Sequence, residues 1–161
     1  MPSRLNDMPT WLISQTALHA HRLLTRALGA ADSNGYQYRL LAVLEEFGPA
    51  SQAALGRRTG IDRSDVVAAL NELAERGLVD RSTDPADRRR NIITVTPAGA
   101  ERFQELDNVV VGVQATLLAP LSPAEHEQLT RMLRRILARH PNSQLAGNCG
   151  ARPRGWPFQL G

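Results

Sequence analysis

The chain has 161 residues, which fits one compact domain, and its 42% hydrophobic content argues against wholesale disorder. Aromatic residues make up only 4%, which argues against a platform that stacks single-stranded nucleic acid. The formal net charge is only +3, from 19 basic and 16 acidic residues. All 19 basic residues are arginine, so the number of arginines reflects a general preference over lysine. Only the positions of the arginines can therefore indicate a nucleic-acid contact.

Apolar residues recur at helical spacing through the first half of the chain. This periodicity predicts four helices, at about residues 10–30, 36–47, 51–58 and 62–76. Ser51 is a favourable N-cap for the third helix, because its hydroxyl can accept a hydrogen bond from the first turn. Thr59-Gly60 predicts a tight turn before the fourth helix, and Gly77 stands where a left-handed residue typically ends one.

The second half predicts a β-hairpin followed by two more helices. The strands are predicted at 78–82 and 91–96, and the helices at 97–119 and from Ser122 to residue 140. Pro97 suits the first turn of the fifth helix, and Ser122 with Glu125 has the spacing of a capping box before the sixth. Residues 141–161 contain three prolines and four glycines without periodicity, which is typical of a flexible tail.

This order of elements predicts a mainly α fold with a small β-hairpin wing, the winged helix-turn-helix. Residues 51–77 have the dimensions of the helix-turn-helix, whose second helix fits a major groove about 12 Å wide. The hairpin loop would reach the neighbouring minor groove, whose negative potential attracts arginine. The predicted DNA-contacting residues are Ser51, Gln52, Arg57, Arg58, Asp62, Arg63, Ser64, Asp65, Val67, Ala68, Asn71, Asp87, Arg88, Arg89 and Arg90.

Several of these residues also fit purely structural roles. Arg57 and Arg58 end the third helix, where they suit a phosphate contact and a cap on the negative helix end equally well. Asp65 suits a base contact or stabilisation of the positive end of its own helix. Val66, Leu70 and Leu73 are expected to face the core.

Four stretches resemble the MarR family of transcription regulators. They read QYRLL at 37–41, GIDRS at 60–64, LAERGLVDR at 73–81 and DPADRRRNIITVTPAG at 84–99, the last being the most specific. The resemblance covers about residues 11–140. Two positions depart from the family pattern: Asp65 stands where a small polar residue is usual, and Ala68 where arginine is common.

The resemblance implies a homodimer joined by the first, fifth and sixth helices, with pseudo-palindromic operators and often a small anionic or phenolic effector. It also implies that Arg89 enters the minor groove with Asp87 as its partner. An effector pocket between the dimer helices and the winged region has candidate linings in Trp11, His19, Arg22, Tyr36 and Arg39. The favoured interpretation of these residues is nevertheless structural: Trp11 packs at the dimer interface and His19 is a half-exposed helix residue.

The predicted organisation is a dimerisation helix at 1–34, a DNA-binding region at 35–97, two dimerisation helices at 98–140 and the tail. Cys149 is the one cysteine, so no disulfide or CxxC metal motif forms within the chain, and no cofactor is expected. Cys149 has no evident activating neighbour, so oxidation sensing is disfavoured. A cytoplasmic location is expected, because neither a secretory signal nor a membrane span is visible.

Sequence-specific binding of duplex DNA, with a repressor-like role, is the favoured function. A winged-helix module for protein–protein assembly is the alternative, favoured slightly by Asp65 and by eight arginines against seven acidic residues between residues 51 and 96. An enzyme is the least favoured class, because the sequence contains no nucleophile elbow, phosphate-binding glycine loop or metal-ligand cluster.

Overall fold

The computed structural model describes residues 3–139; the predicted tail at 141–161 with Cys149, and residue 140, lie outside them. Within that range the fold has seven helices and three strands. The helices are α1 (Ser3–Asn6), α2 (Pro9–Ala30), α3 (Gly35–Phe47), α4 (Gln52–Thr59), α5 (Arg63–Glu75), α6 (Pro97–Leu117) and α7 (Pro123–Arg139). The strands are β1 (Ala50–Ser51), β2 (Val79–Thr83) and β3 (Asn91–Val95).

The predicted mainly α fold with a β wing is confirmed. The helices α2, α6 and α7 of the structure correspond to the first, fifth and sixth helices of the prediction. Two elements were not predicted: the single turn α1 and the two-residue strand β1. Both are too short to show a helical or alternating pattern. The described helices include none long and apolar enough to cross a membrane.

The sheet is antiparallel with the order β1-β3-β2. Ile93 in β3 faces Ala50 of β1 on one side and Arg81 of β2 on the other, and it is fully buried. The added strand β1 therefore covers one edge of the hairpin and joins the wing to the start of α4.

The core lies between α3, α4, α5 and the sheet, and it is built mainly from leucine. Val66, Leu70 and Leu73 are each at most 1% exposed, which confirms that one face of α5 packs inward. Leu28 from α2 and Leu106 from α6 join the same cluster, so both long helices are anchored to the winged region.

Side-chain caps mark the start of four helices, α3, α4, α6 and α7; before α6 the Thr96 hydroxyl accepts from the Gly99 N–H at 3.0 Å. The Asn34 Oδ1 accepts hydrogen bonds from the first turn of α3, and the Ser51 Oγ accepts one from the Ala54 N–H at 3.2 Å. Before α7, the Ser122 N–H donates to Glu125 Oε2 at 2.8 Å. These bonds confirm the predicted Ser51 cap and the predicted capping box. The backbone and side-chain hydrogen bonds from Ser122 also hold the pKa of the Glu125 carboxyl below its usual value.

Tyr38 ties α3 to α6. Its hydroxyl donates to Asp107 Oδ1 at 2.8 Å, and its ring stacks on Phe103 with 5.8 Å between centroids. Burial, followed by the hydrogen bond and the charge of Asp107, raises the pKa of Tyr38 to about 12. The phenol therefore stays protonated, and able to donate, throughout the physiological pH range.

Two glycines bring the end of α5 against the start of α6. Gly77 is left-handed (φ 68°), which lets the Leu78 N–H bond back to the Leu73 carbonyl at 2.9 Å, as predicted for a glycine helix end. Thr96 then donates through its hydroxyl to the Gly77 carbonyl at 2.7 Å. At Gly99 a Cβ atom would collide with the Leu78 carbonyl oxygen, so α6 can pack this closely only with glycine there.

We expect Gly99→Ala to lower the free energy of unfolding by about 1–3 kcal/mol, because the Leu78 backbone must shift to admit the methyl group. Gly29→Ala in α2 is the matched control, since its Cβ would meet no atom within 4 Å. The control should stay near wild type or gain up to about 1 kcal/mol. Urea unfolding at one fixed protein concentration measures both; equal midpoints for Gly99→Ala and wild type would contradict the close approach.

Candidate nucleic-acid interface

The α4–α5 turn sets the angle of the second helix. Gly60 ends α4 in the left-handed conformation (φ 67°), and its N–H donates to the Gly56 carbonyl at 2.9 Å. Asp62 occupies the N-cap position of α5, but its side chain makes no capping hydrogen bond. The Asp62 carboxylate therefore does not cap α5.

One face of α5 is exposed along most of its length. Ser64, Val67, Ala68 and Asn71 follow one another at helical spacing on this face, and all four are exposed. Arg63 is also exposed at the start of the helix, whereas Asp65 is partly buried in the first turn. This exposed stripe combines hydroxyl, amide and apolar groups, which are the kinds of group that read base edges in a major groove.

The four predicted residues on α4 lie at its two ends. Ser51 caps the helix and Gln52 begins it, and both are partly buried. Arg57 and Arg58 are exposed at the opposite end. The Arg58 guanidinium lies 4.9 Å from the centroid of the Phe47 ring, which is itself 55% exposed. This cation–π contact is a role that the sequence did not suggest.

Two consecutive turns shape the tip of the wing, residues 84–90. The Asp87 N–H donates to the Asp84 carbonyl at 3.2 Å, and the Arg90 N–H donates to the Asp87 carbonyl at 2.9 Å. Each turn begins with an aspartate whose Oδ1 accepts a backbone N–H two residues on, from Ala86 at 2.9 Å and from Arg89 at 3.0 Å. Such side-chain turns fix the backbone locally, so the arginine-bearing tip is preformed.

Asp87 holds a different guanidinium from the one expected. Its Oδ2 lies 3.6 Å from Nε of Arg90, whereas Arg89 meets Asp87 through its backbone N–H. Arg88 and Arg89 occupy the two corners of the second turn and are exposed. An exposed ion pair adds little stability, so the effect of Asp87 is to orient the tip.

Arg81 belongs to this surface and was not among the predicted contacts. Its Nη2 donates to Oδ1 of Asn71 at 2.7 Å, so β2 is bonded directly to the exposed face of α5. Strand alternation could have found it: Val79 is buried, and Arg81, two residues on, lies on the same face of β2.

The predicted effector residues lie on two helices: Trp11, His19 and Arg22 on α2, and Tyr36 and Arg39 on α3. Tyr36 and Arg39 are together, with the Arg39 guanidinium 5.3 Å from the Tyr36 ring centroid. Arg39 also donates to the Thr59 carbonyl at 3.3 Å, which ties α3 to the α4–α5 turn. His19 and Arg22 are exposed, and Trp11 is partly buried.

A polar cleft of ≈ 320 Å³ lies elsewhere, between the α2–α3 turn and the end of α5. Gln37, which is only 4% exposed, donates to Glu72 Oε2 there at 2.6 Å. Arg76 donates to the Asp32 carbonyl at 2.8 Å. These bonds tie the C-terminal half of α5 to the α2–α3 turn, and none of the four residues was predicted as a site.

A short helix, a glycine turn, a second helix with an exposed stripe and an arginine-tipped hairpin together define a winged helix-turn-helix protein. The sequence profile of the MarR family matches residues 28–90.

Two curated relatives support the same assignment. The chain is 35% identical over 99 residues to a putative transcriptional regulatory protein for the hcr operon of Thauera aromatica, an alignment covering 62% of this chain and 60% of that protein. It is 28% identical over 107 residues to the HTH-type transcriptional repressor NicR of Pseudomonas putida, covering 66% and 68% respectively. The chain thus spans about two thirds of these relatives or slightly less.

Solved structures match over more of the chain. A probable transcriptional regulator from Pseudomonas aeruginosa is 32% identical with a TM-score of 0.72, covering 82% of this chain and 98% of that one. Bordetella bronchiseptica BpsR, whose DNA binding is regulated by 6-hydroxynicotinic acid, is 25% identical (TM-score 0.69, 78% and 95% covered). PcaV of Streptomyces coelicolor in complex with its natural ligand is 28% identical (TM-score 0.70, 84% and 96% covered). The chain belongs to the MarR family of transcriptional regulators.

The turn at 87–90 should depend on the acceptor atom of Asp87 and not on its charge. Asp87→Ala removes the Oδ1 that receives the Arg89 N–H, so backbone order parameters at 87–90 should fall from about 0.85 to below about 0.6. Asp87→Asn keeps an acceptor oxygen and should keep them near wild type. NMR relaxation measures both; Asp80→Ala in β2 is the control, and an equal loss of order in the Asn variant would contradict the argument.

Proposed function

We propose that this protein is a homodimeric repressor that binds a pseudo-palindromic duplex DNA sequence in the cytoplasm and is released by a small anionic or phenolic effector. One observation supports binding to DNA. The winged helix-turn-helix contains both the exposed face of α5 and a preformed wing tip that bears Arg88 and Arg89. The remaining parts rest on α7, on cationic and aromatic residues of α2 and α3, and on the relatives.

In the proposed complex α5 enters the major groove, with Arg63, Ser64 and Val67 against base edges. Ser64 supplies a hydroxyl, and Val67 an apolar group suited to a thymine methyl. The wing tip enters the adjacent minor groove with Arg89 foremost, as the resemblance to the MarR wing implies, and Arg88 occupies the other corner of the same turn. Asp87 keeps that corner in shape through the Arg89 backbone.

The α7 helix supports the dimer. None of the residues of α7 is buried within the described chain. One side of the helix nevertheless carries large apolar side chains: Met132, Ile136 and Leu137, which are 44%, 49% and 60% exposed. Leu12 and Ile13 of α2 are likewise more than two-fifths exposed. Such apolar surface is stabilised by burial against a second copy. In a dimer joined this way, the two DNA-binding regions (residues 35–97, here called the heads) would stand about 34–36 Å apart, which is one turn of DNA.

The effector part rests on BpsR, whose DNA binding is regulated by 6-hydroxynicotinic acid, on PcaV, which binds its natural ligand, and on the cationic groups of α2 and α3. Arg22 and Arg39 can bind a carboxylate, and Trp11 and Tyr36 supply aromatic side chains on the same two helices. His19, on α2, adds a hydrogen-bonding group. Because α2 belongs to the proposed dimer body and α3 to the head, a ligand that binds one spacing of the heads would shift the equilibrium between spacings.

The DNA proposal is tested by selecting binding sites from random duplexes and then titrating Arg89→Ala on the selected sequence. We expect an enriched inverted repeat, and a loss of affinity of at least about tenfold for the variant, because two minor-groove contacts disappear per dimer. Arg131→Ala, on the polar side of α7, is the control for loss of one positive charge. Size-exclusion chromatography checks that both variants remain dimers.

No enrichment by the wild-type protein would reject sequence-specific binding and leave protein–protein assembly as the function. Enrichment with an unchanged affinity for Arg89→Ala would remove the wing tip from the mechanism while leaving α5 in it.

The effector proposal predicts that an aromatic carboxylate releases the DNA. The probes are 6-hydroxynicotinic acid, benzoate and 4-hydroxybenzoate, added up to millimolar concentration to the preformed complex. Arg39→Ala should raise the concentration needed for release by about tenfold, the loss of one charge-assisted hydrogen bond. The affinity of Arg39→Ala for DNA without effector is measured in parallel. Release by none of the three probes would contradict this part alone.

A further inference from the structure

Arg81 lies between the two parts of the protein that the proposed function assigns to DNA. It stands in the middle of β2, directly after the glycine end of α5 and before the wing tip at 84–90. Its guanidinium reaches back to Asn71 on the exposed face of α5. The pair therefore bridges the recognition helix and the wing.

The shape of duplex DNA determines what faces this bridge. A major groove and the neighbouring minor groove are separated by a single sugar–phosphate strand. If α5 occupies the first groove and the wing tip occupies the second, that strand must cross the surface between them. The Arg81–Asn71 pair lies in this position, so the group opposite it is a phosphate.

The chemistry of the pair suits an anion. A guanidinium carries five N–H donors in a rigid fork, and the bond to Asn71 takes one of them. Arg81 is exposed, so the remaining donors can reach an outside partner. Asn71 is a neutral acceptor; a carboxylate in its place would neutralise the cation, whereas the amide holds the guanidinium and leaves its full charge.

We infer that Arg81 is a phosphate-binding residue on the strand between the two grooves, and that Asn71 is a positioning residue that holds its guanidinium. The inference rests on the proposed function, because it needs α5 and the wing in adjacent grooves. It adds a contact that carries no sequence information: Arg81 strengthens binding to every duplex and fixes the register of the head.

Salt dependence separates a phosphate contact from a structural role. Each phosphate neutralised on B-DNA contributes about 0.9 to the slope of log K against log salt concentration. Arg81→Gln, a neutral side chain of similar length, should reduce the slope by about 1.8 per dimer, one contact from each subunit. The loss should be equal on the selected operator and on an unrelated duplex.

Variants at position 71 test the positioning role. Asn71→Ala should weaken binding but keep the wild-type slope, because the charge of Arg81 remains. Asn71→Asp should lower the slope as Arg81→Gln does, because its carboxylate pairs with the guanidinium. Arg81→Lys keeps the charge without the fork and should keep the slope. Arg131→Ala, on the polar side of α7, should change neither affinity nor slope.

Three outcomes overturn the inference. A wild-type slope for Arg81→Gln, with an affinity loss equal to that of Asn71→Ala, would mean that Arg81 only supports Asn71. A loss confined to the operator would mean that Arg81 reads bases. A wild-type slope for Asn71→Asp would remove the positioning role. Failure of the wild-type protein to bind any duplex would instead reject the proposed function, so the two failures are distinguishable.

Discussion

The junction at Leu78 is the constraint on which the rest of the structure depends. Three functional parts meet there: the end of α5, the start of the wing and the first turn of α6. The Leu78 N–H closes α5, and its carbonyl accepts the Thr96 N–H at 3.1 Å, in contact with Gly99. Because each of these contacts is made by the backbone, a shift of α6 must move both the recognition helix and the wing.

Contacts on the other side of α5 make the same connection through polar side chains. Gln37 bonds to Glu72, and Arg76 bonds to the Asp32 carbonyl, so α5 is tied to the α2–α3 turn as well as to α6. Arg102 of α6 donates to the carbonyls of Ala31 and Asp32 in that turn. The C-terminal half of α5 is therefore held on two sides, by α6 at the Leu78 junction and by the residues of the α2–α3 turn.

The elements that could be predicted from sequence are those fixed by local chemistry. The Ser51 cap, the Ser122–Glu125 box and the left-handed Gly77 each depend on residues within one turn, and each is found as predicted. The Arg81–Asn71 and Gln37–Glu72 bonds join residues 10 and 35 positions apart, and their side chains meet only after the core has packed. Strand alternation places Arg81 on the same face of β2 as Val79, but no local pattern pairs it with Asn71 or pairs Gln37 with Glu72. The choice of Arg90 as the ion-pair partner of Asp87 also depends on the turn geometry and not on spacing.

The low net charge of residues 51–96 is compatible with DNA binding once the acidic side chains are placed. Asp84 and Asp87 direct an oxygen at backbone N–H groups of the wing tip, and Glu72 accepts from Gln37. Hydrogen bonding leaves these carboxylates charged, but two of them fix the backbone of the turns from which Arg88 and Arg89 are exposed. Charges separated by more than about 8 Å are largely screened at physiological salt, so the field at the wing tip depends on the charges placed there and not on the net charge of residues 51–96. The charge argument for an assembly module rests on that net charge alone and is therefore weak.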